Sequence, residues 1–410
     1  MTTPRPETQA AAAAGLPRAG VVPPIWLLVA MVGAGPFTLQ IVVPLLPDFS
    51  RIFQAGTGWA QLLLTLALAG VAFGQLLYGP LSDRFGRRPA VSVGFAIFAL
   101  ASLAAAAAGS LPQLVTWRTL QAVGGCSGMV IGRAMIRDCF PREKAASVLG
   151  YVMMGMTVAP MVSPIIGSLM LAAFGWPSVF LLCALIGAVL LAAIRLRLPE
   201  TLAVPQPLPG PAGLLRLYGG LLHLPTFNAF TATVALSSGV FFAFIGGAPH
   251  IVVTGLGRPP QDYAVAFLAI SAFFGVGNFV AGRYSVRVGL MRMIGIGTGL
   301  SFAGTLVALL AMLLLPPSLL NLFIPAAIMA VGNGMSQTNA MMGALSVRPT
   351  LAGTASGLAG CVQMLVGALV SWFAGWLEDG SGLATTLIML AAAAATQVVL
   401  AVMRARKLGD

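Results

Sequence analysis

Twelve long apolar stretches follow one another along this chain, and most of the connections between them are short. A helix needs about 20 apolar residues to cross the hydrocarbon core of a bilayer. The sequence therefore predicts an all-α integral membrane protein with twelve transmembrane helices. The predicted spans lie near 25–47, 59–80, 89–109, 112–137, 145–172, 177–197, 226–250, 261–282, 290–314, 318–343, 351–376 and 381–403.

The composition excludes an ordinary soluble domain. Hydrophobic residues make up 58% of the chain and charged residues 8%, and the mean hydropathy is +0.95. About a quarter of the residues of a soluble domain are charged, so this chain cannot cover a surface that faces water. The net charge of +12 would favour a nucleic-acid partner in a soluble protein. Here we expect no nucleic-acid partner, because basic residues gather at the cytoplasmic ends of membrane helices.

The positions of the basic residues predict the orientation. With the N-terminus inside, eighteen Lys and Arg residues fall in the inner segments and two, Arg51 and Arg258, fall in the outer loops. This distribution follows the positive-inside rule, and one missed helix would disturb it. The first apolar stretch is too long for a cleaved signal peptide. We expect a multi-pass protein of the cell inner membrane with both termini in the cytoplasm.

The longest connection divides the chain near its middle and is rich in Pro and Gly. Four residues of the first half recur 203 positions further along: Gly79, Ser82, Arg84 and Gly86 become Gly282, Ser285, Arg287 and Gly289. Both copies follow the second span of their half, which predicts two parallel, pseudo-symmetric six-helix bundles. The expected organisation is a disordered cytoplasmic arm at 1–24, bundles at 25–198 and 226–403, a cytoplasmic linker at 199–225 and a cytoplasmic tail at 404–410.

The segment between the second and third spans reads Gly-Pro-Leu-Ser-Asp-Arg-Phe-Gly-Arg-Arg-Pro over residues 79–89. We expect its glycines to allow a tight turn and its arginines to hold that turn in the cytoplasm. The segment resembles the signature loop of the major facilitator superfamily, whose members are secondary transporters. The resemblance implies a gate motif that bridges the two halves and locks one face closed: Gly79, Asp83, Arg84, Gly86, Arg87 and Arg88. The alternative is a plain positive anchor. The second copy has Val286 in place of Asp83.

A second block lies on the fourth span. It begins Arg-Thr-Leu-Gln-Ala-Val-Gly-Gly at Arg118 and continues as Gly-Arg-Ala-Met-Ile-Arg-Asp up to Asp138. With Pro44 and Pro47 at the end of the first span, it resembles the Bcr/CflA (bicyclomycin and chloramphenicol resistance) drug-efflux branch, which consists of drug/proton antiporters. The fifth span is similar to the Gly/Pro motif of exporters, with a simple packing kink as the alternative. The residues of that motif are Gly155, Pro160, Pro164 and Gly167.

Two arginines, Arg118 and Arg133, fall within the fourth span. Charges inside a membrane are expensive and usually functional. Arg118 is too deep to reach either surface easily, so we expect it in a central cavity. Arg133 either lines that cavity or extends toward the cytoplasm beside Arg137.

The chain has no acidic residue in the middle of a span, because all ten lie at span ends, in loops or in tails. Transporters of the resembled branch often carry an acid in the first span, and the best alignment puts Gln40 at that position. A glutamine cannot titrate, so the usual proton-coupling site departs from the pattern. Asp48 and Asp138 are the candidate proton sites, with Asp83 as a third. Each of them lies at a boundary, where a solvated charge is the alternative.

Other polar side chains at membrane depth are expected to face the interior, because unpaired amides are costly in lipid. Some of them will join helices instead of lining a cavity, and aromatic residues more often serve in packing. The expected cavity residues are Gln40, Arg118, Gln121, Arg133, Asn228, Phe241, Asn333 and Gln337.

No enzyme motif is present. The chain lacks a phosphate loop, which argues against ATP-driven transport, and it lacks a CxxC or metal-ligand spacing. We therefore expect no enzymatic activity, no metal and no cofactor, with a proton gradient as the energy source. The main hypothesis is a monomeric drug/proton antiporter that exports small amphipathic compounds. The alternative is a facilitator or exporter of one neutral, zwitterionic or anionic metabolite, paired with Arg118, with weak or no proton coupling.

Overall fold

The structure is a computed structural model that describes residues 22–139, 142–202, 210–348, 351–406 and 408 of the 410-residue chain. Most of the expected arm at 1–24, with Arg5 and Arg18, lies outside this part. So do residues 203–209 of the expected linker and residues 407, 409 and 410 of the expected tail. The side chain of Arg137 and the surroundings of Gly155 are also outside the description.

All regular secondary structure in the described part of the chain is helical. Twelve long helices are present, which confirms the predicted all-α architecture. Their bounds are α1 Ile25–Ile52, α2 Thr57–Phe85, α3 Arg87–Ala106, α4 Leu111–Cys139, α5 Arg142–Phe174, α6 Trp176–Arg197, α7 Pro225–His250, α8 Pro260–Val288, α9 Leu290–Leu314, α10 Leu319–Ser346, α11 Ala352–Leu377 and α12 Leu383–Ala405.

Over their described residues, ten of these helices are long and apolar enough to cross a membrane by length and composition alone. The other two are α4 and α5. The two arginines Arg118 and Arg133 lower the hydropathy of α4. In α5, most side chains before Val158 lie outside the described part of the chain, and the remaining segment, Val158–Phe174, is apolar.

The turn between α2 and α3 is shorter than the sequence predicts. Helix α2 continues through Gly79 and Pro80 to Phe85, and α3 begins at Arg87, so Gly86 alone reverses the chain. The expectation that Gly79 takes part in the turn is wrong. A Gly-Pro pair usually marks a turn, but a membrane helix tolerates proline where neighbouring groups satisfy the freed backbone.

The internal repeat marks equivalent turns in the two halves. Gly86 has φ +97° and Gly289, between α8 and α9, has φ +92°. Residues with a Cβ rarely adopt this conformation, so glycine is required at both turns. The charge of the two turns differs, because the uncharged Val286 stands at the position that corresponds to Asp83. Val286 is 94% exposed.

Small residues allow close helix packing within each half. Gly124 of α4 lies against Gly94 of α3, and Gly332 of α10 lies against Gly297 of α9. A Cβ at Gly124 or Gly332 would overlap the backbone of the neighbouring helix. Small residues at helix interfaces are a common way to pack helices in lipid, where the hydrophobic effect does not draw helices together.

A short helix, Pro211–Leu222, lies between the two halves, and we call it the linker helix. Its Tyr218 hydroxyl lies 3.5 Å from the backbone carbonyl oxygen of Leu76 on α2. Pro80 has no N–H to donate to this carbonyl, so Tyr218 replaces part of the lost interaction. Partial burial raises the pKa of Tyr218, and the neighbouring Cys361 adds to the effect.

The two halves meet mainly along α2 with α11 and along α5 with α8. We call the end of the molecule that bears the α2–α3 turn the basic end, and the opposite end, which bears Trp376 and Glu378, the far end. These names refer only to the structure. The expected orientation, with the basic end in the cytoplasm, stays a prediction.

Candidate functional site

A cavity of about 190 Å³ lies between the two halves. Helices α1, α2, α4 and α5 of the first half and α7, α8 and α11 of the second half form its walls. The lining residues are Pro36, Leu39, Gln40, Leu64, Val71, Met129, Met156, Pro160, Phe241, Phe242, Phe267, Ser271, Phe274 and Met364. A pocket shared by two bundles is a typical place for a ligand, so this cavity is the candidate substrate site.

Four phenylalanines form the wall on the side of the second half. Phe241 on α7 stacks on Phe274 of α8 with ring centroids 5.5 Å apart. It also packs against Phe242 and Phe267 at 6.2 Å each. Phe241 is thus one of two expected cavity residues that line this cavity.

Gln40 is the other. Its side chain is 7% exposed and lines the cavity, and its Oε1 has no hydrogen-bond partner among the described residues. The sequence places it at a break in α1: the α-helix ends at Ile41 and a turn of 3₁₀ helix covers Val43–Leu45. Pro44 has no N–H and cannot continue the hydrogen-bond ladder to the carbonyl of Gln40.

Arg118 lies inside the first bundle and does not line the cavity. It is 1% exposed. Its guanidinium donates hydrogen bonds to the carbonyl oxygen of Thr38 on α1 and to Oε1 of Gln121 on α4. Gln121 in turn donates to Ser102 Oγ on α3 at 2.7 Å. The expected cavity position of Arg118 and Gln121 is therefore corrected: a buried polar side chain can face either the cavity or the core of its own bundle, and these two face the core.

The remaining expected cavity residues also lie elsewhere. Arg133 Nε donates to the carbonyl oxygen of Met129 at 3.0 Å. Asn333 accepts from Ser301 Oγ at 3.2 Å inside the second bundle. Each of these groups forms at least one hydrogen bond within its own bundle, and neither residue is among those that line the cavity.

Two further side-chain amides that were expected in the cavity also lie outside its lining. Asn228 is exposed at the start of α7 and donates to the carbonyl oxygen of Leu222, at the end of the linker helix, at 2.6 Å. Gln337 accepts from Gln363 Nε2 at 3.4 Å, which joins α10 to α11. Neither lines the cavity, and a role of either in binding substrate stays a prediction.

The Gly/Pro motif of α5 contributes to both the cavity and the packing. Pro160 lines the cavity, and the carbonyl of Pro164 accepts from Ser168 Oγ at 2.7 Å. Gly167 lies against the carbonyl oxygen of Ile41, where α1 breaks, and a Cβ at this position would overlap that oxygen. The motif therefore fits α5 to the broken first helix.

Arg87 is the centre of an ionic cluster at the basic end. Its guanidinium forms ion pairs with Asp83 Oδ1 at 2.6 Å and with Asp138 Oδ2 at 2.9 Å, and it donates to Ser82 Oγ at 2.6 Å. These partners belong to α2 and α4, so the described contacts join helices of the first half. The implied contact between the halves is not among them. Arg84 is exposed, and Arg88 donates to the carbonyl oxygen of Arg195 at 2.6 Å.

Glu200 completes this Arg87 cluster, and sequence reasoning missed it. Its carboxylate accepts hydrogen bonds from the backbone N–H groups of Arg87 at 2.9 Å and Arg88 at 3.1 Å. These are free donors at the start of α3, where the helix dipole favours a negative charge. Its position just after Pro199, at the end of a basic helix, is a weak sequence signal.

The two candidate proton sites lie at opposite ends of the molecule. Asp48 forms an ion pair with Arg51 at 3.4 Å near the far end. Asp138 forms the ion pair with Arg87 at the basic end. Both lie away from the cavity lining, and their proton-carrying role stays a prediction.

At the far end, polar contacts between α2 and α11 close the gap between the two halves. We call these contacts the seal, and sequence reasoning missed them. Gln61 Nε2 on α2 donates to the carbonyl oxygen and to Oγ of Ser371 on α11, each at 3.1 Å. Trp372 Nε1 donates to the carbonyl oxygen of Gly58 at 3.3 Å, and Trp376 packs directly on Gly58. Among the described residues, these contacts hold α2 and α11 together beyond the cavity.

Residues 25–371 match the Major Facilitator Superfamily. The chain therefore belongs to this superfamily and is a membrane transporter. Relatives carry names that agree with the predicted drug-efflux branch, which is confirmed.

The chain is 31% identical over 340 residues to the uncharacterized MFS-type transporter YdgK of Bacillus subtilis strain 168, covering 82% of this chain and 84% of that protein. It is 30% identical over 378 residues to multidrug resistance protein D of Escherichia coli K12, covering 87% and 89%. It is 28% identical over 341 residues to a bicyclomycin resistance protein homolog of Haemophilus influenzae, covering 82% and 84%.

Two solved structures share the fold. A bacterial homolog of the human lysosomal transporter Spinster, inward-facing and unoccupied, has a TM-score of 0.70 at 18% identity and covers 94% of this chain and 95% of that one. The xylose transporter XylE of E. coli, in a partially occluded inward-open conformation, has a TM-score of 0.68 at 16% identity and covers 91% and 97%. Both confirm the predicted architecture of two six-helix bundles.

Proposed function

We propose that this protein exports small amphipathic drug-like compounds across the bacterial inner membrane by alternating access. The observation that carries the proposal is the central cavity, because both halves contribute to its walls. A movement of one half relative to the other would open such a site to one side of the membrane and then to the other. Relatives named for multidrug and bicyclomycin resistance support export of drugs.

The seal at the far end has a defined place in this cycle. With the basic end in the cytoplasm, as the positive-inside rule predicts, the contact between Gln61 and Ser371 separates the cavity from the outside. Release of the solute to the outside requires that this contact break. The Arg87 cluster holds the ends of α2, α3 and α4 together, so the first half can move as one body.

The proton gradient is the energy source in this proposal. Export is coupled to it by antiport, with Asp48 or Asp138 as the titrating group. A second candidate function has a specific observation in its favour. None of the described residues that line the cavity titrates, and Gln40 stands where an acid would couple proton and solute. A facilitator with weak or no proton coupling, specific for one metabolite, is therefore the alternative.

A susceptibility panel in a host that lacks its own drug pumps tests the proposal. Expression should raise the inhibitory concentration of several chemically different compounds, and a protonophore should abolish the protection. Protection that survives the protonophore would favour the second candidate. No change for any compound would contradict drug export. Surface expression of each protein should be measured in parallel.

A further inference from the structure

The chemistry of the cavity lining is unusual for a site that handles charged drugs. Twelve of its fourteen described lining residues are apolar, and the two polar ones are Gln40 on α1 and Ser271 on α8. Among the described residues of the lining, none carries a charge. A cation that entered would lose its water without gaining a carboxylate, which is strongly unfavourable.

Positive charge lies behind the wall of the first half. Arg118 donates to the carbonyl of Thr38, two residues before Gln40. Arg133 donates to the carbonyl of Met129, whose side chain lines the cavity. Both arginines raise the electrostatic potential of the cavity, and Coulomb repulsion in a medium of low dielectric is strong. Repulsion by these arginines therefore adds to the desolvation cost that a cation would meet in the cavity.

Gln40 favours a ligand that can donate a hydrogen bond. Its side chain is 93% buried and lines the cavity. Its Oε1 has no hydrogen-bond partner in the described part of the chain. A buried acceptor without a donor costs free energy, and a ligand that supplies the donor recovers it. Ser271 lines the same cavity from the second half, so a ligand with polar groups can contact both halves.

The size of the cavity limits the apolar part of the ligand. A dry cavity of about 150 Å³ lined by Leu, Ile and Phe accepts benzene. This cavity measures about 190 Å³, which leaves room for one aromatic ring with a small substituent. The phenylalanine wall of Phe241 and Phe274 offers ring faces and edges for such a ligand.

We propose that the cavity selects uncharged, compact aromatic solutes that carry a hydrogen-bond donor, and that Gln40 accepts this hydrogen bond. The inference rests on the proposed function, since it names the substrate class of the same site. It differs from a preference for anions paired with Arg118, because Arg118 is already bonded inside the first bundle.

Binding to the full-length protein in nanodiscs tests the inference without transport. The probes are para-cresol, its methyl ether para-methylanisole, and phenyltrimethylammonium, measured by isothermal titration with empty nanodiscs subtracted. The wild type should bind para-cresol roughly five- to tenfold more tightly than the ether, as expected for one buried hydrogen bond. Phenyltrimethylammonium should show no saturable binding.

Variants at Gln40 separate the hydrogen bond from the shape of the site. Gln40→Met keeps the size and removes the acceptor, so para-cresol and its ether should bind equally. Gln397→Leu is the matched control, because this half-buried glutamine lies on α12 outside the lining, and it should keep the preference. Gln40→Glu should gain binding of phenyltrimethylammonium, which provides a second result if the Met variant does not fold.

Several results would overturn the inference. These are equal binding of cresol and ether by the wild type, a preference that survives in Gln40→Met, saturable binding of the cation by the wild type, or no saturable binding of either aromatic compound. Drug export in cells is a separate readout. Protonophore-sensitive export of permanent cations alone would leave the proposed function intact and would remove this substrate class.

Discussion

Arg118 on α4 donates a hydrogen bond to the backbone carbonyl oxygen of Thr38 on α1, three residues before the first part of α1 ends at Ile41. The last carbonyls of a helix lack backbone partners and form the negative end of its dipole. The buried cation therefore lies at a favourable helix end, and Oε1 of Gln121 supplies a second acceptor. Backbone and amide oxygens thus compensate this charge, because no span has a carboxylate in its middle.

This arrangement predicts the effect of replacing Arg118. Arg118→Ala should abolish export, because it leaves the Thr38 carbonyl and the Gln121 amide without a donor, at a cost of about 1–3 kcal/mol for each group. Arg118→Lys should restore export only in part, since a single ammonium cannot reproduce the planar fork that reaches both acceptors. Export rate per surface-exposed protein is the measurement. Normal export by Arg118→Ala would show that transport does not need Arg118.

Asp83→Asn should impair transport and leave expression largely intact. The substitution removes the charged partner of Arg87 at the junction of α2, α3 and α4, while Asp138 still pairs with the same guanidinium. Asp262→Asn is a matched control, because Asp262 pairs at the same spacing with Arg258, an exposed arginine 3.7 Å away, and pairs open to solvent contribute little. Equal transport by the two variants would reduce the Arg87 cluster to a positive anchor.

Gly167→Ala should destabilise the protein by about 1–3 kcal/mol and slow export. The added methyl group would overlap the carbonyl oxygen of Ile41 and push α5 away from the break in α1. Gly282→Ala is the control, since a Cβ at Gly282 meets no atom within 4 Å and alanine favours a helix. Thermal unfolding of both variants in the same detergent is the measurement. The interpretation fails if both variants melt at the wild-type temperature.

Gln61→Leu should open the far end more often, because both hydrogen bonds to Ser371 are lost. A cysteine replacing Leu64, which lines the cavity, reports this opening in a variant without the four native cysteines. An impermeant thiol reagent added from the far side should label this cysteine several-fold faster when Gln61 is replaced. Gln397→Leu in the same background should label at the original rate. Unchanged labelling in both would contradict the seal.

The helices and their pairing into halves were predictable from the sequence. Each span is long and apolar, and the physics of the bilayer leaves few alternatives to a helix. The repeat that ends at Gly86 and Gly289 predicted two equivalent halves, and both glycines have the same positive-φ backbone conformation. The extent of α2 was not predictable, because Pro80 is compatible with either a turn or a helix until the neighbours of Leu76 are known.

The candidate site was predictable only in part. A polar residue in a membrane helix avoids lipid, but each bundle has its own core in addition to the cavity between the bundles. Helical periodicity cannot distinguish these two interiors. Gln40 and Phe241 face the cavity, whereas Arg118 and Asn333 face the cores of their bundles. The role of Glu200 depends on a contact between distant segments that no local pattern encodes.

Transport in inside-out membrane vesicles tests the central claim most directly. The solute is a radiolabelled compound to which expression confers resistance, and respiration supplies the proton gradient. Wild-type vesicles should accumulate the compound, a protonophore should release it, and vesicles with Arg118→Ala at equal protein content should not accumulate it. Accumulation no greater than in vesicles that lack the protein would contradict export through the cavity between the two halves.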